Sequence, residues 1–113
     1  MTVIDIGKDF SKTPFGRFIT DGSNSATRFR EEILKPAFNS NDERVIIDFS
    51  RVTLGVGSSF LEESFGGLVR EGMPANDILE RIDVKGGLPM YKTQIKRFVE
   101  RAKLVANNHS VAE

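Results

Sequence analysis

The sequence predicts an α/β domain, a mixed β-sheet of about four strands with helices packed against it. Three observations point there. A continuous apolar run at Val45, Ile46 and Ile47 reads as a strand buried on both faces. Helical periodicity flanks that run, with Ala26, Phe29 and Ile33 before it and Leu61, Phe65, Leu68 and Val69 after it. Shorter β-like segments near the N-terminus and at IDVKG make strands alternate with helices along the chain.

In chain order, TVIDIGKDF places Val3, Ile4, Ile6 and Phe10 in an alternating pattern that favours a first strand. Within SKTPFGRFITDG, Pro14 and Gly16 predict a turn, Phe18 and Ile19 a short strand, and Asp21-Gly22 a second turn. SNSATRFREEILKPAF predicts a helix, with Ser23 or Ser25 placed to cap its start and Pro36 placed to end or kink it. After the polar loop NSNDER, Val45 to Phe49 is the expected central strand. SSFLEESFGGLVREG predicts a second helix. Ser59, followed by Glu62 three residues on, has the pattern of a capping box, and Gly72 and Pro74 close the helix. Gly66-Gly67 inside that helix costs roughly 1 kcal/mol per glycine against alanine, so close packing or close approach of a partner has to justify it. ANDILERI reads as a short helix and IDVKG as a strand. Pro89 suits the first turn of a last helix, whose face is Tyr91, Ile95, Phe98, Val99 and Ala102. One domain is expected over residues 1–107, with a frayed tail at 108–113.

Composition narrows the function. At 113 residues, 39% hydrophobic and with nine phenylalanines, the chain can bury a core without covalent staples. Lys plus Arg and Asp plus Glu are both 16, so no global field attracts nucleic acid or an anionic membrane, and neither is the expected partner; self-association is permitted. The absence of cysteine excludes disulfides, thiolate catalysis and cysteine-ligated zinc. The single histidine, His109, falls in the expected tail, so no metal, cofactor or catalytic role is assigned to it. No nucleophile has a base beside it, and Glu62 and Glu63 point about 100° apart on a helix, so they do not form an acid–base pair. A non-enzymatic protein is therefore expected. Asp5, Lys8 and Asp9 interrupt any early apolar run, and no stretch approaches the roughly 18 apolar residues of a membrane span; cytoplasmic is the expected location.

The segment VIIDFSRVTLGVGSSFLEE concentrates the functional signal: a strand, a glycine-containing turn, two serines and a helix start. A helix N-terminus has free N–H groups and about half a positive charge, and glycines allow close approach. The candidate contact residues are Gly55, Gly57, Ser58, Ser59, Phe60, Glu62 and Glu63. Three readings are open: a plain capped helix, a phosphorylatable serine on a protein-docking surface, and a nucleotide or phosphate site. Gly55-Val56-Gly57 lacks the third glycine of a dinucleotide fingerprint, because Phe60 takes its place, and lacks the lysine of a P-loop. A second cluster, Arg17, Asp21, Ser25, Arg28 and Arg30, could grip a phosphate or a partner carboxylate, or simply be helix charges with Arg28 facing Glu32. The last helix shows a basic face, Lys92, Lys96, Arg97, Arg101 and Lys103 against Glu100, which reads as a solvated surface.

VIIDFSRVT, then SS and a helix, resembles the core of STAS domains, the fold of bacterial anti-sigma-factor antagonists. The pattern DFSKTPFGRFITDG, FREEIL and GSSFLEESFGGLVREG is similar, more closely, to the STAS-like domain family of unknown function, over roughly residues 5 to 72. In the antagonists the first serine of the turn is phosphorylated by a kinase-type anti-sigma factor, and Ser58 matches that serine, with Ser59 as its neighbour. Gly57 replaces their acidic residue, and VTLGVG is one residue longer than their turn. The resemblance implies a bacterial regulatory protein-interaction module whose partner is a kinase-like ATPase or an anti-sigma-type regulator.

Overall fold

The computed structural model describes residues 1–112, with side chains described through residue 106. The expected tail at 108–113, with His109, lies outside the residues whose side chains are described.

Three strands, β1 (Thr2–Asp5), β2 (Val45–Asp48) and β3 (Ile82–Lys85), form one sheet in that order, parallel throughout. The register places Thr2, Val45 and Ile82 side by side, and Ile4, Ile47 and Val84 two residues on. These rows share a face, since side chains alternate along a strand. On it, Ile4, Val45, Ile47 and Ile82 are buried in the same cluster as the helix residues Phe29, Leu61, Phe65, Ile78, Ile95 and Val99.

β2 is the central strand, as its composition predicts. Burial on both faces does not hold: Ile46 is only half-buried, and Val3 beside it is 51% exposed. Both lie outside the core cluster, because the helices gather on the opposite side of the sheet. The expected mixed sheet of about four strands is corrected on two counts. The pairing is all parallel, and Phe18 and Ile19 form no strand. Instead Ile19–Asp21 is a single 3₁₀ turn. The Asp21 carboxylate accepts from the backbone N–H groups of Arg17 and Phe18, at 3.0 and 2.9 Å, and curls the segment before it can extend.

β1 gives way at once to α1 (Ile6–Asp9), a single turn capped by the Asp5 carboxylate. α2 spans 26–38 and is capped by Ser25, which accepts from the Arg28 N–H. It passes through Pro36 without ending there. A wide π turn at Arg30–Leu34 ends one residue short of the proline, and the intervening Lys35 N–H bonds back to the Arg30 carbonyl. That widening takes up the missing N–H and ring clash that would break a regular helix. α3 spans 58–70 and carries its own π turn at Glu62–Gly66. Its end is a Schellman motif: Gly72, at φ 107°, donates to the Val69 carbonyl, and Met73 donates to Leu68. α4 (Ala75–Arg81) runs directly into β3, and α5 (Met90–Ala112) packs back on α3 and α4 through Tyr91, Ile95, Val99 and Ala102. Among the described residues no helix is long and apolar enough to cross a membrane.

Candidate functional site

α3 begins at Ser58, with Gly57 as its N-cap in extended conformation and no side chain closing the cap. The expected capping box of Ser59 and Glu62 is not formed. Glu62 is drawn away by two arginines: Arg17 Nη1 lies 2.7 Å from Oε1, and Arg70 Nη1 lies 2.5 Å from Oε2. Charge-assisted pairs of this kind outbid a neutral backbone donor for a carboxylate. Ser58 and Ser59 are left on the surface with exposed side chains.

Gly55 and Gly57 sit in open space. Neither has positive φ, and a Cβ at either would meet nothing within 4 Å. The chain's own packing therefore gives no reason for glycine at these two positions. Phe60 does not belong to the surface. It is 2% exposed, and its ring stacks at 5.7 Å from Phe29 and 6.5 Å from Phe10, so its assignment as a contact residue is corrected to core.

The two sequence clusters, 45 residues apart, meet in space. Arg17 reaches Glu62 and Glu63, at 2.7 and 3.3 Å. Arg30 is buried between the π turns of α2 and α3. It donates to the Glu63 carbonyl at 2.7 Å, to Glu63 Oε2 at 2.8 Å and to Glu71 Oε1 at 2.7 Å. Its guanidinium lies on Gly67, where an added Cβ would come within 2.5 Å of Nη1. That contact explains Gly67: the close approach it permits is to a side chain of this chain. Asp21 and Arg28 do not join the network. Asp21 closes its own turn, while Arg28 pairs with Glu32 at 2.6 Å, bonds the Ser23 carbonyl and stacks over the Phe10 ring. Arg70 completes the network through Glu62, a role its i+8 spacing conceals in the sequence.

The loop joining α1 to α2 is held firmly. Besides the Asp21 bonds, Thr27 Oγ1 donates to the Arg17 carbonyl at 2.8 Å and the Ala26 N–H donates to Gly16. Gly16 has φ 90°, and a Cβ there would press on Asp21. This ordered loop holds Phe15, Phe18 and Ile19 outward, at 66, 52 and 69% exposed. The sequence pattern hides them because it reads Phe18 and Ile19 as a strand. The crowding of Pro14, Gly16, Asp21 and Gly22 is the signal that leaves too few residues for one.

The network predicts acid sensitivity. Burial pushes the Glu62 carboxyl up, but the hydrogen bonds from Arg70 and Arg17 outweigh it and hold it below 4.5. At Glu71 burial again pushes up and is outweighed, chiefly by the Lys35 hydrogen bond. A carboxylate with a depressed folded pKa adds stability above its unfolded value and loses it as pH falls through the folded one. Melting temperature should hold steady from pH 7 to about 5 and fall below about 4.5. A melting temperature unchanged down to pH 3 would mean that these pairs contribute nothing.

A family described as "STAS-like domain of unknown function (DUF4325)" matches residues 25–92, more than half of the chain. The chain belongs to this STAS-like family. The match begins after the DFSKTPFGRFITDG stretch and runs through α2, β2, α3, α4 and β3 into α5, so the STAS-like core includes both π turns and the serine turn. No curated protein and no solved structure matches the chain.

Proposed function

We propose that this STAS-like domain is a non-enzymatic regulatory module that docks a protein partner through the start of α3 and the loop beside it. The observation that carries the reading is the ordered loop presenting Phe15, Phe18 and Ile19 to solvent, tied by Arg17 to the helix that begins with Ser58. Large apolar side chains held outward by a rigid frame are what interface anchors require, since little ordering entropy remains to be lost. The open space at Gly55 and Gly57 supports the same surface, because a partner backbone can approach there.

Ser58 is the proposed switch. Ser58 and Glu62 are one turn apart on α3 and share a face. A phosphate on Ser58 brings about −1.5 to −2 charges beside Glu62 and competes for Arg17. Once Arg17 leaves Glu62, the shorter of its two ties from the aromatic loop to α3 is gone and only the 3.3 Å contact to Glu63 remains. A kinase-like ATPase or an anti-sigma-type protein is the partner class that this chemistry suits. The ligand reading has less behind it: the cleft beside the turn, lined by Val52, Leu54, Leu88 and Tyr91, encloses about 190 Å³, below the roughly 300 Å³ of ordinary ligand pockets.

The test is affinity purification of the tagged native protein, identification of its bound partner, and titration of that partner against Ser58→Asp and Phe18→Ala. Both side chains are exposed, so both variants should melt like wild type. Each should weaken binding by about tenfold or more. Ser59→Ala, with no cap bond to lose, should change stability by under about 0.5 kcal/mol. Wild-type affinity in both Ser58→Asp and Phe18→Ala would remove this surface from the interface.

A further inference from the structure

The zero net charge conceals a segregated one. Residues 90–106 hold five cations against Glu100 alone, whereas residues 1–89 hold 11 cations against 14 carboxylates. Outside α5, Arg17, Arg28, Arg30, Lys35, Arg51, Arg70 and Arg81 each pair with a carboxylate, whereas among the described residues Lys8, Lys12, Arg44 and Lys85 do not but are scattered over separate parts of the fold. Among the described residues, Lys92, Lys96, Arg97 and Arg101 on α5 have no such pair, and Lys103 meets only the amide oxygen of Asn76, at 3.0 Å.

The placement works against the helix that bears it. Lys92 with Lys96 and Arg97 with Arg101 are like charges at i,i+4, which repel across a turn. Lys92 also stands in the first turn of α5, near the positive end of the helix dipole, with no acidic residue in that turn to offset it. A face that merely needed solvation could mix signs, as α2 does.

Geometry limits what this face fits. At 3.6 residues per turn, Lys92, Lys96 and Lys103 fall on one flank of the solvent side, and Arg97 and Arg101 on the other. Thr93, Glu100 and the exposed Leu104 lie between. The lysine row runs along about 16 Å of helix and the arginine pair along about 6 Å within that span. A helix about 10–12 Å across, with cations on both flanks, matches a major groove about 12 Å wide that has a phosphate strand on each wall. Insertion into a membrane is disfavoured, because the apolar stripe of α5, Tyr91, Ile95, Val99 and Ala102, is spent on the core.

We propose that the outer face of α5 binds duplex nucleic acid, with the two rows of cations contacting the phosphates of opposite strands. The inference is independent of the docking surface at α3. Binding is sequence-tolerant, since contacts to phosphates carry no base information.

Fluorescence anisotropy of the full chain with a labelled duplex of arbitrary sequence tests this. Binding should be detectable at low salt, in the range of about 10⁻⁴ to 10⁻⁶ M, and log affinity should fall with log salt at a slope of about −3 to −4 if about four phosphates are neutralised. Lys92→Ala/Lys96→Ala/Arg97→Ala/Arg101→Ala should weaken it by about tenfold or more. Lys8→Ala/Lys12→Ala/Arg44→Ala/Lys85→Ala removes the same charge elsewhere and should bind as wild type does. If the first variant melts early, Arg97→Ala/Arg101→Ala, at two exposed positions, should still show a measurable part of the loss. The proposal is overturned by no binding at 50 mM salt, by equal losses in the two quadruple variants, or by binding to phosphatidylserine vesicles or polyglutamate as tight as to the duplex.

Discussion

Arg30→Ala should destabilise the domain by up to about 3–5 kcal/mol, the cost of removing the buried cation from Glu63, which keeps only its longer contacts to Arg17 and Arg70. The Arg30 side chain is 10% exposed and Glu63 13%, so little solvent remains to screen what is left behind. The same substitution removes the side-chain hydrogen bond to the Glu63 carbonyl and takes one partner from Glu71. It also opens a void over Gly67, where the guanidinium now lies. Lysine would not rescue it, because one ammonium cannot reproduce the fork that reaches Glu63 and Glu71 from different nitrogens. Urea unfolding of wild type, Arg30→Ala and Arg30→Lys is the measurement. A loss under about 1 kcal/mol would place this network with the weak surface ion pairs.

Phe60→Ala should cost a comparable amount, about 3–5 kcal/mol, through lost transfer energy and the cavity left behind. Its ring completes an aromatic cluster with Phe29 and Phe10, and Phe29 in turn meets Phe65 edge-on at 6.5 Å. Collapse into the gap is opposed by two rings on other elements, Phe10 and Phe29. Denaturant midpoints, with the slope checked for two-state behaviour, measure it. A near-neutral effect, together with weakened partner binding, would return Phe60 to the contact surface where the sequence reading had placed it.

Much of the architecture was legible in residue order. The 3.6-residue periodicity around Phe29, Phe65 and Ile95 marked α2, α3 and α5, and Gly72 with Pro74 marked the end of α3. The apolar run at Val45 identified the central strand. The capping box misled because its spacing rule is local, and Glu62 had stronger partners 45 and eight residues away. The strand at Phe18 misled because β propensity in two residues yields to a single aspartate that bonds the backbone N–H groups of Arg17 and Phe18.

The sequence by itself determined the main helices and the central strand, the lack of any cysteine chemistry, and the serine pair beside a helix start. Those properties depend on residue type and short spacing, which survive without a fold. Only the tertiary structure decided that Arg17 and Arg30 meet Glu62 and Glu63, that Phe60 is core while Phe15, Phe18 and Ile19 face solvent, and that the charges separate toward α5. The physical reason is that partnership and exposure depend on which surfaces the helices turn toward one another. Packing the α2 and α3 π turns together around one arginine brings distant residues to within hydrogen-bonding distance.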